Sequence, residues 1–165
     1  MIDWALIPVK SFDVGKSRLR KVFSLQELIL LNISLFQSTF LKVKDSGQFD
    51  HILVVSRDKN ALAWAEANLG ECLLEEGTET LNSALTQGLA WIASHGAGSV
   101  LILPTDLPLL TVDDLTSLCA YQPEDPGMLI VPDHAQLGTN ALLITRPALL
   151  TPQFGANSFQ LHCKQ

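Results

Sequence analysis

Five short apolar runs, set between helical patterns, constrain this chain more than any other feature. They are Trp4–Val9 (WALIPV), Ile52–Ser56 (ILVVS), Val100–Pro104 (VLILP), Met128–Pro132 (MLIVP) and Ala141–Thr145 (ALLIT). Most are nearly continuous rather than alternating, as in strands of a parallel sheet covered on both faces by helices. Ser24-x-x-Glu27 reads as a capping box ahead of a helix over Leu28–Leu41, and Ala61–Leu69 reads as a short helix closed by Gly70. Leu81–Ser94 ends near Gly96, and Thr111-x-x-Asp114 opens Val112–Tyr121. The alternation predicts an α/β fold: a three-layer α/β/α sandwich with a mostly parallel sheet. Such sheets bind ligands outside the carboxyl ends of their strands, so chemistry is expected just after Val9, Pro104 and Pro132.

The 165 residues contain no internal repeat, low-complexity stretch or Pro/Gly-rich linker, and residues 1–165 read as a single domain. With 47% hydrophobic and 17% charged residues, the composition excludes a disordered chain. Runs such as Leu28–Leu31 and Leu89–Ala93 are far too short to cross a bilayer, and Asp3 interrupts any leader-like opening. A soluble, cytoplasmic protein is the expectation. Eleven Lys+Arg against 17 Asp+Glu give a net charge of −6, so neither nucleic acid nor a membrane surface is an expected partner. Five of the eleven cations (Lys10, Lys16, Arg18, Arg20, Lys21) nevertheless fall within twelve residues. That clustering fits either a small anionic ligand or a solvated basic loop. Cys72, Cys119 and Cys163 are odd in number and widely spaced, which argues against a disulfide framework or zinc site. Trp64 and Trp91 read as packing residues on helical faces.

Four segments carry chemically capable residues. In Ser11–Lys21 (SFDVGKSRLRK), Gly15-Lys16-Ser17 matches the end of a P-loop, but Lys10 stands where that loop requires its first glycine. What remains is a loop with Lys10, Lys16 and Arg18, able to neutralise a polyphosphate and a leaving pyrophosphate. Asp106, between Pro104 and Pro108 at a strand end, fits a Mg²⁺ ligand or an ordinary turn residue. Gly138-Thr139-Asn140 fits an anion-binding turn or a hairpin turn, and His134 nearby reads as a surface residue. Gly155 and Ser158 lie near the start of a helix, where they fit an anion site or a simple N-cap. No G-x-S-x-G occurs, and the adjacent pair His162-Cys163 points in different directions on a helix, so nucleophilic catalysis finds little support.

Six ordered motifs carry a resemblance across almost the whole chain. They are Pro8-Val9-Lys10 with Lys16-Ser17-Arg18-Leu19, Leu81-Asn82-x-Ala84-Leu85, Leu103-Pro104-x-Asp106-Leu107-Pro108-Leu109-Leu110, Pro132-Asp133, Gly138-Thr139-Asn140-Ala141-Leu142, and Phe154-Gly155-x-x-Ser158-Phe159-x-x-His162. In these the chain resembles the 2-phospho-L-lactate guanylyltransferase family, also called phosphoenolpyruvate guanylyltransferase. The resemblance implies a Rossmann-like nucleotidyltransferase fold, similar to that of molybdenum-cofactor guanylyltransferases. It implies transfer of GMP from GTP to 2-phospho-L-lactate, phosphoenolpyruvate or 3-phospho-D-glycerate, with release of pyrophosphate, in the synthesis of coenzyme F420.

Carried over residue by residue, the resemblance makes Pro8, Lys10, Lys16 and Arg18 nucleotide-binding, the three cations on the triphosphate. It makes Asp106 the Mg²⁺ ligand, and Thr139, Gly155 and Ser158 the binding residues for the phosphorylated acid. Asn82 falls in a motif expected to face the base or ribose. GTP, the acid and Mg²⁺ are thus the implied ligands, and the oligomeric state stays open, with a homodimer as the candidate. The family continues into a further strand and an Asp-x-Asp-Thr-Pro-x-Asp-Leu motif whose carboxylates are expected to complete the metal site, whereas this sequence stops at Gln165. That departure leads to the expectation of a domain lacking its C-terminal strand and metal-binding motif. It also keeps open a non-catalytic nucleotide or phosphoacid binder of the same fold.

Overall fold

The computed structural model of the chain describes residues 1–14, 17–121 and 123–165, without the side chains of Ser17 and Arg18. Among these residues six strands form one sheet: β1 (Ile2–Val9), β2 (Phe49–Ser56), β3 (Glu71–Leu74), β4 (Ser99–Ile102), β5 (Met128–Pro132) and β6 (Thr139–Thr145). Their spatial order is β3-β2-β1-β4-β6-β5. The pairs β1·β2, β1·β4 and β2·β3 are parallel, while β6 runs antiparallel to both β4 and β5. Five strands therefore point one way and β6 alone opposes them. Only six residues separate Pro132 from Thr139, too few for the crossover a parallel pair requires.

The apolar run Trp4–Val9 within β1 follows from its two covered faces. Trp4 and Leu6 pack into one core, with Leu85, Leu89 and Ile92 of helix α3 (Leu81–Ser94). Ala5, Ile7 and Val9 pack into the other, with Phe36 and Phe40 of α1 (Leu25–Ser46), Ala61 and Ala65 of α2 (Lys59–Ala67) and Leu115 of α4 (Val112–Ala120). Successive side chains of a strand point to opposite faces, so both parities must be apolar. These layers make the expected α/β/α sandwich. Trp64 meets Phe36 and Phe40 edge-on, and Trp91 meets Trp4, as packing residues do.

Both predicted capping boxes are present, at Ser24/Glu27 and Thr111/Asp114. Helix α1 starts where expected but continues past Leu41 to Ser46 and stops at Gly47, whose φ of 62° no ordinary residue adopts cheaply. Helix α3 lies so close to the sheet that a Cβ on Gly88 would sit 2.7 Å from Leu6 Cδ1. The last helix, α5, is a short one over Ser158–His162. No helix among the described residues is long and apolar enough to cross a membrane.

Candidate active site

Strand β1 lies between β2 and β4, and the chain leaves it on one side to make β2 and β3 and returns on the other to make β4. This reversal opens a crevice at the carboxyl ends of the strands. A cleft of about 240 Å³ occupies it, lined by Pro8, Val9 and Lys10 after β1, Asn32 of α1, Leu81 of α3, and Thr105 and Asp106 after β4. Leu103 N–H donates to the Leu6 carbonyl, so the pairing of β4 with β1 continues to the residue before Pro104. The two segments that flank the cleft are therefore held by the sheet itself. Lys10 and Asp106, both exposed, bring opposite charges to this one opening.

The loop after β1 is held at Phe12. Its N–H donates to Asp58 Oδ2 at 3.0 Å and its carbonyl accepts from Asn32 Nδ2 at 2.8 Å. Asp58 also caps α2 through the N–H groups of Asn60 and Ala61. One carboxylate thus starts a helix and fixes the loop that carries Lys10. The roles expected for Lys16 and for the Arg18 side chain fall outside the described residues.

A narrow crevice continues from Lys10 toward Glu75, Glu79 and the start of α3, where Thr80 is the N-cap. Glu75 is buried, and its carboxylate faces Arg57 at 3.6 Å. Glu75 Oε1 and Arg57 Nε make no hydrogen bond among the described residues. Burial pushes the Glu75 carboxyl above the usual range, against the pull of Arg57 and Lys10.

Thr139, Gly155 and Ser158 sit at the same end of the sheet. β6 is antiparallel, so its first residue, Thr139, lies at the carboxyl end of β4. Gly138 approaches Asp133 so closely that a Cβ there would lie 2.9 Å from Asp133 Oδ2. Asp133 Oδ1 accepts from Leu137 N–H at 2.8 Å, and backbone donors in this loop hold its carboxyl below the usual carboxylate range. Gly138-Thr139-Asn140 is therefore the closing part of the β5–β6 hairpin, and His134 on that hairpin is exposed. Gly155 has φ +131°, a conformation reserved for glycine. Ser158 is buried and is the first residue of α5; the N-cap is Asn157, which makes no side-chain cap bond.

Two side chains tie this region to the rest. Asn82 is bonded to both polar groups of the Phe154 backbone: Oδ1 accepts from Phe154 N–H at 2.8 Å, and Nδ2 donates to its carbonyl at 3.1 Å. Asn82 thereby joins the start of α3, beside the cleft, to the residue before Gly155. His162 is fully buried, with Nδ1 3.0 Å from Thr139 Oγ1 and Nε2 accepting from Gln153 N–H at 3.2 Å. Its ring meets Phe154 edge-on, and burial lowers its pKa.

Asn32, Asp58 and Glu75 lie outside the motifs that point to chemistry. Asn32 does interrupt the run ILLNISLF, which is apolar apart from it and Ser34, and a polar amide in such a run marks a side chain that needs a partner. Asp58 carries a local signal as an N-cap aspartate ahead of α2, though nothing local reports its bond to Phe12, and nothing local marks Glu75.

The guanylyl transferase CofC-like family model matches residues 3–165. A phosphoenolpyruvate guanylyltransferase from Rubrobacter xylanophilus is 36% identical, covering 98% of this chain and 78% of the relative. A 2-phospho-L-lactate guanylyltransferase from Methanothermobacter thermautotrophicus is 31% identical, covering 96% and 68%. Among solved structures, a nucleotidyl transferase from the same archaeon superposes with a TM-score of 0.65 at 12% identity, over 97% of this chain and 80% of that one.

Proposed function

This chain belongs to the guanylyl transferase CofC-like family, and from that premise we propose that it transfers GMP from GTP to a phosphorylated three-carbon acid. The observation that carries this reading is the cleft at the β1/β4 reversal, which joins Lys10 and Asp106 in a chain 36% identical to a phosphoenolpyruvate guanylyltransferase. Phosphoenolpyruvate is the first acid to expect, because relatives named for it include the more similar of the two described above. The product would feed the assembly of coenzyme F420, in the cytoplasm where GTP is made.

The reaction needs no covalent enzyme intermediate. An oxygen of the acid's phosphate attacks the α-phosphorus of GTP and forms a new P–O bond. The bond from that phosphorus to the α–β bridging oxygen breaks, and pyrophosphate leaves with the electron pair. The attacking oxygen is already anionic, so a strong general base is unnecessary, and catalysis is positioning plus electrostatics. Lys10 would neutralise charge growing on the departing pyrophosphate, with Lys16 and Arg18 as its expected partners on the same loop. Pro8, whose backbone is held in the β1–β2 ladder opposite Val55, supplies a rigid wall for the nucleotide. Thr139, Gly155 and Ser158 would hold the acid.

Among the described residues no group of three or more His, Cys, Asp or Glu is arranged around a metal position. A single exposed carboxylate such as Asp106 suits Mg²⁺, which is held by one or two carboxylates together with substrate phosphates and water. The ion would supply charge neutralisation on the phosphates.

The test is incubation with GTP, Mg²⁺ and each of phosphoenolpyruvate, 2-phospho-L-lactate and 3-phospho-D-glycerate. Pyrophosphate release and the mass of a guanylylated acid are the readouts. Release with phosphoenolpyruvate is expected; no release with any acid overturns the reading.

A further inference from the structure

We propose that His162 is a positioning residue that makes the Thr139 hydroxyl a hydrogen-bond donor for the phosphorylated acid. The inference rests on the acid-binding role given to Thr139 above. Its physical basis is the proton count on the imidazole. Nε2 accepts from the Gln153 backbone N–H at 3.2 Å and therefore carries no proton. A neutral imidazole holds one proton, which must then sit on Nδ1. Nδ1 is 3.0 Å from Thr139 Oγ1, so the ring donates and the hydroxyl oxygen accepts.

A hydroxyl has one hydrogen and two lone pairs. With one lone pair taken by the ring, the Thr139 hydrogen points away from His162. It makes no second bond among the described residues. A donor left free in this way has the polarity that a phosphate or carboxylate oxygen requires. An unsupported threonine would rotate freely between donor and acceptor orientations and pay for that freedom on binding.

The same ring fixes the backbone of the acid side. Its Nε2 holds Gln153, and its face packs edge-on to Phe154, the residue before Gly155. Thr139 and the Gly155 segment, sixteen residues apart in sequence, are thus set relative to each other by one buried side chain. Full burial of His162 keeps water from competing for either nitrogen.

Two measurements test this. Long-range ¹⁵N–¹H spectra of the histidine rings in the intact chain are expected to show His162 protonated on Nδ1, the tautomer that is the minor one in water. A proton on Nε2 overturns the proposal whatever the enzyme does. In kinetics, His162→Gln keeps a polar group near the Nε2 position and loses the donor toward Thr139. It is expected to raise KM for the acid about tenfold, as for a misdirected charge-assisted hydrogen bond, and to leave KM for GTP unchanged. His162→Asn, which retains a donor near the Nδ1 position, is expected to recover part of that loss. Equal changes in both KM values, or no change in either, overturn the inference while the functional reading stands. A parent chain that turns over no acid overturns the functional reading instead.

Discussion

Asp106 and Lys10 reach one cleft from neighbouring strands, so removing either charge should affect chemistry before it affects folding. Both are exposed, and neither contributes to a core. Asp106→Asn preserves shape and loses only the charge that would hold Mg²⁺. Turnover is expected to fall by roughly 10²–10³ or more, the scale seen when one preorganised electrostatic contact is removed. Thermal unfolding should be unchanged, and pyrophosphate release checks the first part. Thr139→Ala should raise KM for the acid more than KM for GTP, because the hydroxyl lies beside β6 and the Gly155 segment rather than along the Lys10 cleft. Equal losses in initial-rate measurements would make Thr139 a structural residue. The sequence made Asp106 and Lys10 legible because each follows a continuous apolar strand. It left His162 obscure, because its partner Thr139 is 23 residues away and no local spacing reports the contact.

At the scale of elements, the joint between α3 and the Phe154–Gly155 segment matters most. Asn82 spends both amide groups on Phe154, so it acts here through the backbone it holds. Asn82→Ala leaves two partly buried backbone groups unpaired, at a cost of about 1–3 kcal/mol. Urea unfolding should register that cost. The same variant should weaken the acid as well as the nucleotide, since it frees the residue before Gly155; a change in GTP affinity alone would return Asn82 to a purely nucleotide-facing role. Gly88→Val should also destabilise, by about 1–3 kcal/mol, because Leu6 Cδ1 and Val55 Cγ2 already lie 2.7 and 3.0 Å from the position of the first added carbon.

Element boundaries were legible where a side chain encodes them, as at Ser24 and Thr111. The far end of α1 was not. Beyond Leu41 its exposed face turns polar, with Lys42, Lys44 and Asp45, while Val43 stays buried. Strand β3 is not legible in the sequence for a related reason. It is a four-residue edge strand, Glu71–Leu74, only partly buried, and it lacks the unbroken apolar run that marks a strand covered on both faces.

For the whole molecule, two buried titratable groups pull the pH dependence of stability in opposite directions. His162 has its pKa lowered by burial. Below the ordinary histidine value of about 6.5 the unfolded chain takes up its proton first, so stability is present above that value and is lost as pH falls. Glu75 has its pKa raised by burial. Its folded form takes up a proton before the unfolded chain does, so acidification through the carboxylate range relieves a penalty. Glu27, Asp114, Asp125 and Asp133 behave as the usual carboxylates do: hydrogen bonds lower their pKa values, and their contributions disappear in acid. Four lowered carboxylates and one lowered histidine set the net direction among the described residues, and the chain should lose stability from pH 7 downward. His162→Gln should flatten the part of that loss nearest pH 6.5. Glu75→Gln should be neutral or stabilising at pH 7, because burial disfavours the Glu75 charge by more than Arg57 favours it, and Arg57 is partly exposed and also donates to the Gly77 carbonyl, so it is not left buried and unpaired. It should also steepen the loss in acid by deleting the opposing carboxylate among the described residues. Urea midpoints of the parent and both variants at pH 7.5, 6 and 4.5 check all three slopes. A parent midpoint that rises on acidification would mean that Glu75 outweighs the others and that its burial, rather than the hydrogen-bonded loops, dominates the electrostatics of the fold.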